Sequence, residues 1–484
     1  MQSGALIDNE SKPGKLLLYA TWLLVFAVFF WGLGDIALLS FNEARRALPA
    51  RTMFQHGDWL LPHLNGELYL TKPPLIYWLS ACAAHLFGNA SEWAVRLPSA
   101  LAGLATIAMV YRYALKQFGA WPALFSAQIL IANVTFAMFA RRAEIEMLLT
   151  ALCAGALLAA IHYIREGNSR RWIYLSYLLL GLAMLTKGPL VLLFVTLPLF
   201  IVAIYRKDSR CWHLLGSPLG WTIFALVGLS WYALVTWRLG SDIWASIAQR
   251  DMVEKMQGED NKPLWSYFFW ILVDFLPVAL LLFIKPLNIW QRCKGRTDYL
   301  VLLAAVLVPL LIFSLFNNKH AKYLLPAYPM LALLFSMRMG EIFAAARPYR
   351  RRAIILVGLL LPSAYFVYYA FAEAQLYNYR VAVFPQFHSW SSEPQPAPLY
   401  AYREIDTRII YYSALPIKIL EVDSFKSLKD SHTPMLLLVE NAYVDEVKTQ
   451  ADCLVKEFKP YLKKDKALTV YGFGSACSAD NGGH

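Results

Sequence analysis

Apolar runs of roughly twenty residues, the length that crosses a bilayer's hydrocarbon, recur along the chain. They lie near 16–34, 97–115, 121–140, 147–164, 172–186, 189–205, 219–237, 264–284, 298–316, 323–337 and 353–372. No single soluble core buries that many, so a polytopic α-helical membrane protein is the expected fold class. Composition agrees. Of the 484 residues 58% are hydrophobic and only 16% charged, against ~25% charged in soluble domains. The 16 Trp and 27 Tyr suit aromatic belts at two membrane interfaces. Disorder and a soluble multidomain enzyme are excluded.

Net charge is +12. In a soluble protein that excess would point to nucleic acid. Here topology accounts for it, because cytoplasmic loops collect Lys and Arg, and no nucleic-acid partner is expected. With the N-terminus inside, the loops on that side carry nineteen basic residues against six acids, and Arg350-Arg351-Arg352 is the densest cluster. Eleven spans then place residues after about 373 outside the cytoplasm. The first run follows Lys12 and Lys15 with no small-residue cleavage site and reads as an uncleaved span.

Two segments are not spans. The outer loop at about 40–96 has amphipathic pieces suited to the interface plane, with Pro49 expected to break or kink the first. The tail from 373 to 484 reads as a small extracytoplasmic α/β domain beside the transmembrane domain at 1–372. Its β-like runs are RIIYYSA at 408–414, MLLLVE at 435–440 and ALTVYGF at 467–473, with a helix-like stretch at 442–450. Cys453 and Cys477 lie there, as an oxidised pair or as two separate thiols. The six Cys form no CxxC pair, which removes a Cys-based zinc site.

Polar residues that can carry chemistry gather in the outer loops. Glu43, with Arg45 beside it, follows the first span, and a carboxylate there can take a proton from a hydroxyl nucleophile. The same spacing also suits a solvated helix face. Lys72 precedes Pro73-Pro74 at headgroup level, where it can pair with a phosphate or simply snorkel. Arg141, Glu144 and Glu146 mark the next outer mouth, then Thr186-Lys187-Gly188-Pro189, Lys255, and Asn317 to Tyr323 with Lys319 and Lys322. Four outer loops thus present cations where a membrane-carried phosphate could be met. The chain has no GxxxxGK[ST] loop, no HExxH and no GxSxG, and its His residues lack metal-ligand spacing.

The block NEARRALPARTMFQHGDWLLPHLNGELYLTKPPLIYW and then AVRLPSAL at 94–101 resemble integral-membrane glycosyltransferases of the C-type fold. The bacterial branch of glycosyltransferase family 39 is similar, as are protein O-mannosyltransferases and lipid A aminoarabinose transferases. The likeness continues through 141–149, LTKGPL at 185–190 and KHAKYLLPAYP at 319–329. It implies about 11 to 13 transmembrane helices and a bacterial inner-membrane enzyme with an outward, periplasmic site. It also implies transfer, with inversion, from a polyprenyl-phosphate sugar to a lipid, glycan or protein acceptor, with membrane lipids as the other partner. The family's first-loop base motif, usually Asp-Glu-x-Arg-Tyr, falls on Asn42-Glu43-Ala44-Arg45-Arg46, leaving Glu43 as the acid. Glu146 matches the second-loop acid. Lys72 matches the lysine that holds lipid phosphate, Lys255 a phosphate-gripping arginine, and Lys319 and Tyr323 the late pair. These cations can neutralise the departing phosphate, so no cofactor is required and a divalent metal has no support in the sequence. A transporter or flippase for a lipid-linked glycan is the alternative, but the inverted halves such a protein would show are not visible.

Overall fold

In the computed structural model the described residues are 12–167, 169–245, 247, 262–283, 287–458 and 467–480. The first eight helices in chain order are α1 (Lys15–Phe30), α2 (Phe41–His56), α3 (Leu75–Phe87), α4 (Glu92–Phe118), α5 (Ala120–Ile131), α6 (Val134–Ala140), α7 (Ile145–Glu166) and α8 (Arg171–Lys187). The apolar runs become helix, the conformation that satisfies its own backbone in lipid. The protein is a polytopic helical membrane protein, but its spans are less regular than eleven straight passes. Among the described residues five stretches are long and apolar enough to cross: Glu92–Phe118, Ile145–Glu166, Arg171–Arg206, Thr297–Ser314 and Pro348–Val381. Two bent pairs, α5 with α6 (71°) and Ser209–Leu215 with Pro218–Gly228 (41°), raise that to seven.

The differences have local causes. α1 has only 16 residues, about 24 Å at 1.5 Å per residue. The run near 264–284 stops being α-helical at Asp274 and resumes as a 3-10 helix at Val278. The run near 323–337 opens as a 3-10 turn, Ala321–Ala327, before the helix Tyr328–Ala345. Arg171–Arg206 goes out and returns. Residues 209–215, which follow it, sit back beside the start of α8, where Tyr177 donates to the Leu214 carbonyl at 3.1 Å. Arg210 likewise reaches the Ile164 carbonyl at the end of α7 (2.9 Å).

The bundle therefore has two unlike ends. At one, basic turns are tied together by the Lys116–Glu166 pair, the Arg292–Glu341 pair at 2.8 Å and the Thr297–Asp208 bond at 2.9 Å. At the other, about 33 Å away along the 22 residues of α7, lie the first loop and the tail. In that loop α2 starts at Ser40, whose Oγ accepts the Glu43 N–H at 3.1 Å. Pro49 does not break it. The ring removes one N–H, but Ala44, Ala47, Leu48, Ala50 and Met53 are all buried, and that packing outweighs a missing bond. A hairpin follows, β1 (His63–Leu64) with β2 (Glu67–Leu68), turning on Asn65 (φ 55°) and Gly66 (φ 83°) as a type I′ turn requires.

The tail contains a mixed five-stranded sheet built from β3 (Leu399–Tyr402), β4 (Lys418–Leu420), β5 (Met435–Glu440), β6 (Cys453–Phe458) and β7 (Leu468–Phe473). The order is β4-β3-β5-β7-β6; β3 is parallel to both neighbours, and β7 antiparallel to both of its own. The runs at 435–440 and 467–473 are strands as expected. RIIYYSA is not: Thr407–Tyr412 is a helix, because Asp406 caps it by accepting the Arg408 N–H at 2.9 Å. Cys453 and Cys477 form a disulfide with Cα atoms 5.9 Å apart, resolving the two alternatives in favour of the oxidised pair. Central β5 is buried on both faces. Leu437 and Val439 pack with Phe425 and Phe473, whereas Leu436 and Leu438 share a core with Leu38, Ala44, Ala47 and Leu48 of the first loop. One face of the tail sheet is thus continuous with the first loop.

Candidate active site

Glu43, in the first turn of α2, is completely buried. Oε1 accepts from Arg96 Nε at 2.9 Å and from the Ala143 N–H at 3.1 Å; Oε2 accepts the Leu39 N–H at 2.8 Å. Arg96 also donates to the carbonyls of Leu33, Ile36 and Ala37. Burial alone would raise the Glu43 pKa. The Arg96 guanidinium, with Arg142 and the Ala143 N–H, reverses that, and the carboxyl is held below its ordinary value of 4.5. This departs from the expectation of an open base. With both oxygens accepting hydrogen bonds, the carboxylate ties the start of α2 to Arg96 and to the backbone at Leu39 and Ala143.

The neighbouring turn holds two more acids. Glu144 immediately precedes α7 and Glu146 sits in its first turn, where the helix dipole favours negative charge. Glu144 pairs with Lys322 at 3.1 Å and accepts from Ser40 Oγ at 3.2 Å. Glu146 lies 3.3 Å from Lys187 and 3.6 Å from Lys322. Lys187 ends α8, the dipole end that suits a cation, and its ammonium lies 5.0 Å over the Tyr323 ring. Burial, then the charge of Glu146, push the Glu144 carboxyl above its ordinary value despite Lys322. Two adjacent carboxyls with environments this different are how one site holds a proton and a proton acceptor together. Arg46 closes the cluster from α2, donating to the hydroxyls of Tyr69 and Tyr77 at 3.1 Å each. Three buried acids thus meet Arg46, Arg96, Lys187 and Lys322, an excess of positive charge that suits an anionic substrate.

The expected residues divide. Glu146 and Tyr323 are in this cluster. Lys72 is half-buried just before α3, whose Tyr77 touches Arg46, and its Nζ reaches the Thr71 carbonyl at 3.0 Å. Arg45 lies 5.0 Å over the Phe41 ring. Arg141 donates to the carbonyls of Val28, Trp31 and Gly32 and stacks on Tyr369, because the C-terminal carbonyls of α1 need donors, and it lines a small cavity with Arg96, Arg142 and Glu373. Lys319 is likewise used internally. Its buried ammonium bonds the carbonyls of Lys262 (2.9 Å) and Phe316. Lys255 lies outside the described residues. Arg96, Lys187 and Lys322 were visible in the motifs AVRLPSAL, LTKGPL and KHAKYLLPAYP, but nothing in their spacing paired them with acids 41 to 178 residues away.

The sequence profile of the family described as dolichyl-phosphate-mannose-protein mannosyltransferase matches residues 71–237. A protein of Aquifex aeolicus is 28% identical over 408 residues, 82% of this chain and 87% of its own length. The undecaprenyl phosphate-alpha-4-amino-4-deoxy-L-arabinose arabinosyl transferase of Serratia proteamaculans is 27% identical over 344 residues, 68% of this chain. The chain spans 61 to 64% of the length of that transferase and two similar ones. Among solved structures, ArnT from Cupriavidus metallidurans bound to undecaprenyl phosphate has a TM-score of 0.76 at 18% identity, covering 94% of this chain and 97% of that one. The oligosaccharyltransferase AglB from Archaeoglobus fulgidus has a TM-score of 0.56 at 12% identity, covering 89% and 70%. The chain is similar to the C-type membrane glycosyltransferases, as its first-loop motif implies, and shares their fold.

Proposed function

We propose that the chain is an inner-membrane glycosyltransferase that moves a sugar from a polyprenyl-phosphate carrier to a hydroxyl of an envelope acceptor, of which lipid A is the favoured class. The observation that carries this reading is the buried cluster of Glu144, Glu146, Lys187, Lys322 and Arg46 at the end of the bundle away from the basic turns. That charge bias supports a periplasmic site and tail. Nucleotide sugars are cytoplasmic, so a site on this face takes a membrane-carried donor.

Glu146 takes the proton of the acceptor hydroxyl. The freed oxygen attacks the anomeric carbon while the bond from that carbon to the phosphate oxygen breaks. The polyprenyl phosphate leaves with the electron pair, and attack from the opposite face inverts the centre. Lys72, Lys187 and Lys322 stabilise the charge that develops on the departing phosphate, a contribution worth several kcal/mol where water is excluded. Glu43 and Arg96 hold the first loop in register with the acids.

The test is purified protein in detergent or nanodiscs with polyprenyl-phosphate sugars and a lipid A acceptor. Glycosylated acceptor and free polyprenyl phosphate should appear together in equal amounts. Translocation of the donor with neither product would overturn the enzyme reading in favour of a flippase. In the same assay Lys72→Ala should raise the donor KM by about tenfold, a loss of roughly 1.4 kcal/mol of binding. An interfacial lysine contributes little to helix packing, so thermal stability should hold. Unchanged donor KM would remove Lys72 from the phosphate site.

A further inference from the structure

We propose that the tail helix Thr407–Tyr412 is part of the catalytic framework, with Arg408 and Tyr412 as positioning residues that hold the peptide 38–40 from which the site's acids are oriented. This rests on the reading of Glu144 and Glu146 as the working acids.

Tyr412 Oη accepts the Leu38 N–H at 2.8 Å and donates to Glu92 at 2.5 Å. Arg408, 2% exposed, is clamped on both oxygens of Asp406 and donates to the Leu39 carbonyl at 2.8 Å. Thr407 Oγ1 reaches the Phe41 carbonyl at 3.2 Å. The contact is reciprocal, since Arg51 of α2 donates to the carbonyls of Tyr411 and Ile410. The same peptide then turns its remaining donors inward. Leu39 N–H goes to Glu43 and Ser40 Oγ to Glu144. Leu38 N–H, the Leu39 carbonyl and N–H, and Ser40 Oγ thus connect the tail helix to the acids. Loosening the outer set therefore loosens the inner one.

The consequence is a shift in the proton balance. Donors held against a carboxylate favour its charged form. The charged groups acting on Glu144 are Glu146, Lys322 and Glu43. Those acting on Glu43 are Arg96, Arg142, Glu144 and Glu373, and Glu146 faces Lys187, Lys322 and Arg46. Tyr412→Phe also takes a donor from Glu92, which acts on Arg96, whereas Arg408→Lys keeps its charge, so a shift shared by both variants reports the lost donors.

Full-length Tyr412→Phe and Arg408→Lys should be compared with wild type and with Glu446→Gln, which breaks an exposed pair with Arg403 elsewhere in the tail. In the two framework variants kcat should fall about tenfold with donor KM within twofold, and the acid limb of the kcat profile should move to lower pH, because Glu144, losing its donor, turns toward its neutral form and relieves Glu146 of a neighbouring negative charge. Glu446→Gln should match wild type throughout. If both framework variants lower the melting temperature but keep wild-type kcat and an unmoved acid limb, the tail is only a support and the proposal is overturned. Should Tyr412→Phe fail to fold, Arg408→Lys, which keeps the charge but loses the two-pronged grip, decides alone. Failure of the functional reading looks different: wild type itself would release no polyprenyl phosphate.

Discussion

Arg96→Met should be the most damaging single substitution at the site, costing about 3–5 kcal/mol of stability, the usual penalty when one member of a buried ion pair is removed. Methionine fills much of the volume but leaves the Glu43 carboxylate, which is 0% exposed, without its cation. It also abandons the carbonyls of Leu33, Ile36 and Ala37. Glu43→Gln should cost less, because Arg96 keeps those three acceptors. The double variant should recover part of the Arg96→Met loss, since no buried charge then lacks a partner. The pair also has a pH signature. Glu43 titrates below 4.5 in the fold, so its contribution is present above that value and lost as pH falls through the lowered one. Wild type should lose stability in that acid window, and Glu43→Gln should be flatter there. Melting temperatures in detergent from pH 3 to 7 check both points. An Arg96→Met protein as stable as wild type would mean that the pair is not what holds the first loop.

Much of this organisation was legible from residue patterns, and the failures share a cause. Long apolar runs declare helices because lipid leaves the backbone no other partner. The strands at 435–440 and 467–473 declared themselves by apolar, β-branched runs. The segment 408–414 has similar β propensity, yet Asp406 supplies a cap and Ile409 and Ile410 pack into the core shared with α2, so tertiary context wins. The carbonyls that Arg141 and Lys319 bond, at the end of α1 and in the turns at 262 and 316, carry no sequence signal. The converse holds for Lys187 and Lys322. Their loops offered cations for a phosphate, but only the fold brings them to within 3.3 and 3.1 Å of the acids at the start of α7. Arg96 and Glu43 both sat in recognisable motifs, but nothing across the 53 positions between them announced that they pair.

Glu146→Gln should lower turnover by ~10²–10⁴-fold, the range for a lost general base, with insertion and donor binding retained. Its neighbour supplies the contrast. Glu144 is pushed above 4.5 by burial and by Glu146, so its charged form works against the fold. The sign follows from linkage. An acid raised in the folded state contributes stability that is complete below 4.5 and is lost as pH rises through the raised value. Glu144→Gln removes that loss while Ser40 can still donate to the amide oxygen and Lys322 keeps Glu146 at 3.6 Å. At pH 7 to 8 it should therefore melt no lower than wild type, with any advantage vanishing below 4.5. Turnover in this variant should stay within about tenfold of wild type, the loss of one hydrogen-bonded neighbour rather than of the base. The two glutamines thus test separate things. If Glu144→Gln is as inactive as Glu146→Gln, the proton passes through Glu144. If Glu146→Gln turns over normally, Glu146 is not the base, and if both variants do, neither acid is and the cluster's role shrinks to holding the phosphate.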